Sequence, residues 1–169
     1  NNMSLSFLPR WRAESVLEIT PAFLKSQNIE LLMMDFDNTI VPYTTNTPTQ
    51  EVMQWMKDLQ NAGVKLCVVS NSKKQRVPFF CKENGLDCIT HSKKPFPKGI
   101  RQCLQKYNID PKNAAIVGDQ IFTDTLGGNG CKVTSILVQP IHNHNLPLKA
   151  RYVLELPMRF ISKNRRISK

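Results

Sequence analysis

Leu31-Leu32-Met33-Met34-Asp35-Phe36-Asp37-Asn38-Thr39 is the stretch that decides the fold. Its first four residues form a short apolar run of the kind that becomes a strand buried on both faces. The run ends in two carboxylates, Asp35 and Asp37, at i and i+2. Alternate residues of an extended chain point the same way, so both side chains are expected in one small pocket. Two unpaired carboxylates so close repel each other. A hard cation such as Mg²⁺ relieves the repulsion and also holds a phosphate. Asp and Asn are equally common turn formers, so this stretch alone does not separate a site from a polar turn.

Outward from it, helical and extended patterns alternate. Residues 1–29 read as an entry segment, with Thr20 capping a short helix that begins at Pro21. Thr47-Pro48-Thr49-Gln50 has the form of a capping box with Thr47 as the cap, followed by an apolar face of Val52, Trp55, Met56 and Leu59. Strands are expected at 64–69, 87–90, 114–117 and 133–138, with helices at 73–84, from Pro97 onward, and at 123–129, the last closed by Gly127-Gly128. Strands alternating with helices predict an α/β fold of three layers with a mainly parallel sheet of about five strands. Residues 30–140 form its core and 141–169 a basic C-terminal segment.

Open parallel sheets bind ligands beyond the carboxyl ends of their strands. The polar signals fall at such ends: Asp35 and Asp37, Ser70 and Asn71, Lys94, and Gly118-Asp119. In order they read DxDxT, Ser, Lys-Pro and GDxxxxD, which resembles the haloacid dehalogenase (HAD) superfamily of Rossmann-like phosphotransferases. The resemblance implies a Mg²⁺ cofactor and a role for each residue. Asp35 would be the nucleophile, forming an aspartyl-phosphate, and Asp37 the general acid and base. Ser70 and Asn71 would bind the phosphate and Lys94 would offset its charge. Asp35, Asp119 and the Asp37 main-chain carbonyl would hold the metal. Thr39, Gly118 and Asp124 would support the site, Asp124 through a metal water or through Lys94.

The intervals between these motifs leave no room for a cap domain, which suits a substrate too large to enclose: a lipid head group, a protein or a nucleic-acid end. Leu-Pro near the N-terminus, Ile-Thr-Pro near residue 20, Val-Ser-Asn, Gly-Asp-Gln and Gly-Gly-Asn resemble the bacterial YqeG family of HAD subfamily IIIA. That family is similar to the phosphatidylglycerophosphate phosphatases of mitochondria and plastids. The resemblance implies dephosphorylation of phosphatidylglycerophosphate to phosphatidylglycerol. A phosphatase for a protein or nucleic-acid phosphate is the alternative within the class, and a non-catalytic basic binding module the alternative outside it.

The charge bears on the partner. The net charge is +10, and residues 149–169 carry seven Lys or Arg against Glu155 alone. Such a tail attracts a polyanion, and an anionic membrane surface is expected before nucleic acid. Val153, Leu154, Leu156, Met158, Phe160 and Ile161 alternate there with basic residues, as in an interfacial helix, although the same pattern suits a helix closing the core. Pro157 is expected to interrupt that helix. No apolar run reaches the roughly 18–20 residues of a membrane span. Five cysteines at irregular spacing predict reduced thiols, and the N-terminus lacks a signal peptide's basic-then-apolar order. The expected location is therefore cytoplasmic, on the inner membrane face. His142 and His144 read as part of a polar loop after Pro140 and not as metal ligands, because a stable site needs more donors.

Overall fold

A computed structural model of the chain describes residues 6–142 and 146–167. Six strands form one parallel sheet in the order β1-β6-β5-β2-β3-β4. They are β1 (Trp11–Ala13), β2 (Leu31–Met34), β3 (Lys65–Val69), β4 (Asp87–Ile89), β5 (Ala114–Gly118) and β6 (Thr134–Val138). In β2, Leu32 and Met34 enter one apolar cluster while Leu31 and Met33 enter the other. Strand β5 divides the same way, with Ala115 and Val117 against Ala114 and Ile116. Each Leu, Met, Val or Ile among them contributes about 1.5–3 kcal/mol on burial, so a strand apolar on both sides is held only between two helical layers.

Helices α1 (Pro21–Ser26), α2 (Gln50–Asn61) and α3 (Arg76–Glu83) cover the first cluster, and α4 (Lys98–Tyr107) covers the second. Only the loop after β2 and α2 separate β2 from β3, and only α3 with its flanking turns separates β3 from β4. No inserted domain shields the strand ends. From β2 the sheet grows to β3 and β4 on one side, with β5 and β6 on the other. The order therefore switches between β2 and β5, which opens a crevice at their carboxyl ends.

The structure departs from the sequence reading in four places. The sheet has six strands, not five, because the entry segment adds β1 in parallel beside β6. The cap of α2 is Thr49, whose Oγ1 accepts from the Val52 N–H at 3.3 Å, and not Thr47. Gly127 and Gly128 lie inside α5 (Leu126–Gly130) instead of ending it. A Cβ at Gly128 would stand 2.5 Å from Ile116 Cγ2, so close packing on β5 explains that glycine, not a cap. Finally, α6 (Leu146–Ile161) runs through Pro157. Both Pro157 and Val153, whose carbonyl loses its helical partner, are exposed, and water can serve there.

Gly118 is needed for a similar close approach. A Cβ there would sit 2.1 Å from the Asp124 carboxylate. Gly118→Ala is expected to lower stability by about 1–3 kcal/mol through overpacking, read from the urea midpoint. An unchanged midpoint would mean that Asp124 does not lie against this turn.

Candidate active site

Asp35 follows β2 and Asp119 follows β5, so the switch point brings the two carboxylates to one crevice. Lys94 and Asp124 complete the centre from the two flanking turns. The Lys94 ammonium lies 2.9 Å from Asp35 Oδ1 and 2.7 Å from Asp124 Oδ1, and it donates to the Val69 carbonyl. Thr39 Oγ1 donates to Asp119 Oδ1 at 3.2 Å and lies 3.4 Å from Asp35 Oδ2. Asp119, Asp124, Lys94, Thr39 and Ser70 are buried, while Asp35 is partly open to the cleft.

Burial shapes the electrostatics. It raises Asp119 well above the usual carboxylate range, and the charges of Asp35 and Asp124 add to this against the Thr39 hydrogen bond. Asp124 is pushed up to about 7 by burial and by Asp35, with Lys94 opposing. For Lys94, burial alone would lower the ammonium, but Asp124 and Asp35 outweigh it and hold it above its ordinary value. One oxygen each of Asp35, Asp119 and Asp124 lies within 4.8 Å of the others. Lys94 balances one of these three charges, so the centre suits a further cation. Its hard oxygen donors fit Mg²⁺.

Asp37 lines the same cleft as Asp35, but its carboxylate lies outside the trio. It pairs with Arg76, which also stacks over Phe36 at 5.1 Å. Ser70 lines the cleft too, its Oγ accepting from the Ser72 N–H at 3.0 Å. Asn71 lines the cleft as well, and its side chain bonds the Lys94 carbonyl at 2.9 Å and accepts from the Lys94 N–H at 2.7 Å. Asn71 thereby sets the position of the lysine. Asn38 is fully buried and accepts from the His142 N–H at 2.8 Å, tying the loop after β2 to the loop after β6. His144 lies outside the described residues.

The cleft holds about 630 Å³ and is bounded by Tyr43, Lys74, Phe122, Leu148 and Arg151 as well. A larger one, about 810 Å³, lies among Lys25, Glu30, Gly63 and Lys112. It gathers none of the site's carboxylates.

Sequence reasoning missed Arg76, Glu155 and Arg159. Glu155 Oε1 accepts from the N–H groups of Ile121 at 2.8 Å and Phe122 at 3.2 Å. Arg159 pairs with Glu155 at 2.8 Å and donates to the Asp119 carbonyl at 2.5 Å. The C-terminal segment is thus bolted to Asp119 and to the helical turn Ile121–Thr125 that carries Asp124. The available signal was Glu155 as the lone acid of a basic tail, four residues before Arg159. Glu155→Ala leaves Arg159 buried without its partner, and a loss of about 3–5 kcal/mol is expected in urea unfolding. A loss below about 1 kcal/mol, the range of exposed pairs, would place this contact at the surface.

Three carboxylates and a lysine gathered against their own desolvation at a sheet's switch point mark an enzyme, not a scaffold. The chain belongs to the haloacid dehalogenase-like hydrolases, whose family model matches residues 9–131. It is a phosphatase of that family, a phosphoric monoester hydrolase. Over 135 residues it is 31% identical to the Bacillus subtilis (strain 168) protein named "Probable phosphatase YqeG", covering 80% of this chain and 78% of that one. An uncharacterized protein of Listeria monocytogenes serotype 4b has a similar fold, with a TM-score of 0.56 at 15% identity over 78% of this chain and 99% of the other. The cobalt-bound deoxy-D-mannose-octulosonate 8-phosphate phosphatase of Haemophilus influenzae gives 0.54 at 13% identity, over 83% and 93%. At those identities the likeness is one of fold.

Proposed function

We propose that the protein hydrolyses the terminal phosphate of phosphatidylglycerophosphate with Mg²⁺, through an aspartyl-phosphate on Asp35. The observation that carries the chemistry is the Asp35–Lys94–Asp124 ion-paired chain beside Asp119, with Asp37 on the same cleft. A carboxylate oxygen of Asp35 attacks phosphorus as the ester P–O bond breaks, and the leaving oxygen takes its proton from Asp37. Asp37 then accepts a proton from water as the water oxygen attacks phosphorus, releasing phosphate and restoring Asp35. Lys94 and Ser70 meet charge on the phosphoryl oxygens. Asp35, Asp119 and Asp124 would hold Mg²⁺, the Asp37 carbonyl contributing as the family pattern implies. The ion would supply Lewis-acid neutralisation of the phosphate. Arg76 orients Asp37, and Asn71 orients Lys94.

Two features support a lipid substrate: the uncapped cleft, and the resemblance of the chain to the family whose eukaryotic relatives act on this lipid. The working place would be the inner face of the cytoplasmic membrane, with the protein held peripherally. No helix among the described residues is long and apolar enough to cross a membrane.

The test compares Mg²⁺-dependent phosphate release from phosphatidylglycerophosphate in mixed vesicles with release from a phosphopeptide and from a nucleotide. Preference for the lipid is expected. Preference for the peptide or nucleotide would overturn the lipid assignment and leave the phosphatase chemistry in place.

A further inference from the structure

Helix α6 is packed inside out. Its buried side carries Glu155 and Arg159, with Ser162 just beyond, while Leu146, Val153, Leu154, Leu156, Phe160 and Ile161 are exposed. Phe160 keeps 76% of its surface and Leu154 67%. Spacings of seven from Leu146 to Val153 and from Leu154 to Ile161, of three from Val153 to Leu156 and of four from Leu156 to Phe160 put them on one side of a helix about 24 Å long. An ordinary surface helix does the reverse, turning its apolar stripe to the core. A contiguous apolar face of this kind marks an interaction surface.

The charges around the stripe identify what covers it. Lys149, Lys163, Arg165 and Arg166 are exposed on and after α6, and Glu155, the one acid of the described segment, is buried. Between β1 and the C-terminal half of α6 lies a cleft of about 310 Å³ bounded by Arg12, Arg159, Lys163 and Arg166, with Glu14 paired to Arg166. Arg159 Nη1 is buried with no hydrogen-bond partner among the described residues. Burial and the neighbouring Arg159 charge hold the Arg12 guanidinium below its usual range. The lining of the cleft carries four cations against Glu14 alone, which suits an anionic group. A second copy docked through this face would bring like charges together across the two-fold axis, which disfavours it. An anionic bilayer supplies both an apolar phase for the stripe and phosphate groups for the cleft.

We propose that the outward face of α6 and the cationic cleft beside it form the surface by which the protein rests on a bilayer containing anionic lipid. The helix links that surface to the reaction. Pro147, Leu148 and Arg151, at its other end, border the catalytic cleft. A bilayer under α6 therefore brings head groups to the mouth in which Asp35 sits. The inference gives the substrate reading its geometry and rests on it for its biological purpose, but docking itself is separately measurable.

The experiment is co-sedimentation of the full chain with vesicles of phosphatidylglycerol and phosphatidylcholine, beside vesicles of phosphatidylcholine alone. The double variant Leu154→Glu/Phe160→Glu probes the stripe, and Lys163→Glu the cleft. Their unfolding midpoints check folding, since all three side chains are exposed or bound only the outer cleft. Binding to the anionic vesicles alone is expected, reduced about tenfold or more by the double variant and by added salt, and reduced in part by Lys163→Glu. Equal binding to both vesicles, or unaltered binding by the double variant, would overturn the proposal. So would a dimer in solution without lipid that the double variant dissociates, because a second copy would then cover the face. Hydrolysis of phosphatidylglycerophosphate in detergent micelles separates the two readings: turnover without vesicle binding removes the docking surface alone, and vesicle binding without turnover removes the substrate alone.

Discussion

Asp35→Asn is expected to lower phosphate release by about 10⁴-fold or more at saturating Mg²⁺, the size of loss seen when an attacking group is removed. The amide is close to the carboxylate in shape but lacks the charge and the nucleophilic oxygen. The expected effect on folding is small. Lys94 keeps Asp124 at 2.7 Å, and the variant removes one of the charges that raise Asp119 and Asp124. Thermal unfolding without Mg²⁺ should therefore show an unfolding temperature equal to or above that of the parent. The two readouts move independently, so a folded, inactive variant identifies the reacting group. If the variant kept a tenth of the activity, Asp35 would not be the attacking carboxylate, and a water-activating role for the centre would replace the covalent one.

Much of this centre was legible because parallel-sheet geometry turns sequence position into spatial position. Once 31–34 and 114–117 read as buried strands, Asp35 and Asp119 had to emerge at the same edge of the sheet. Lys94 and Asp124 followed from the spacing of the motifs that resemble the family. Contacts that depend on tertiary packing were hidden. Strand β1 has three residues, Trp11–Ala13, too few to display a period, and it forms by pairing with β6. Arg76 reaches Asp37 across 39 positions, and Arg159 reaches Asp119 across 40. Neither lies in a motif. The tail was open to two readings for a different reason. Its apolar period is helical, but the pattern alone does not say which side faces the core, and here the charged side does. Pro157 is tolerated inside the helix because it sits on the open face, where water can serve the carbonyl that it leaves unpaired.

Lys94→Met should destabilise the fold strongly, and its pH dependence tests the electrostatics described above. The ammonium is buried and joins Asp35, Asp124 and the Val69 carbonyl. Methionine fills much of the stem's volume but leaves Asp35, Asp119 and Asp124 facing one another without it. Breaking a buried pair from one side costs about 3–5 kcal/mol. The sign with pH follows from linkage. Asp124 stands near 7 in the folded protein against 3.8 for an ordinary aspartate, so between those values the folded state holds a proton that the unfolded state has released. Its contribution to stability is therefore full below about pH 4 and is lost as the pH rises through about 7. Lys94 opposes that shift, and removing it extends the loss. Urea unfolding in a chelator should show a penalty that is modest near about pH 5 and full near about pH 8. Mg²⁺ should recover part of the stability near the higher pH and little near the lower, because protons already neutralise the carboxylates there. Turnover should fall as well, by about 10²–10³-fold, since the charge on the phosphoryl oxygens loses its cation. A penalty greater at the lower pH would reverse the sign and show that Lys94, not the carboxylates, is the strained partner of the group.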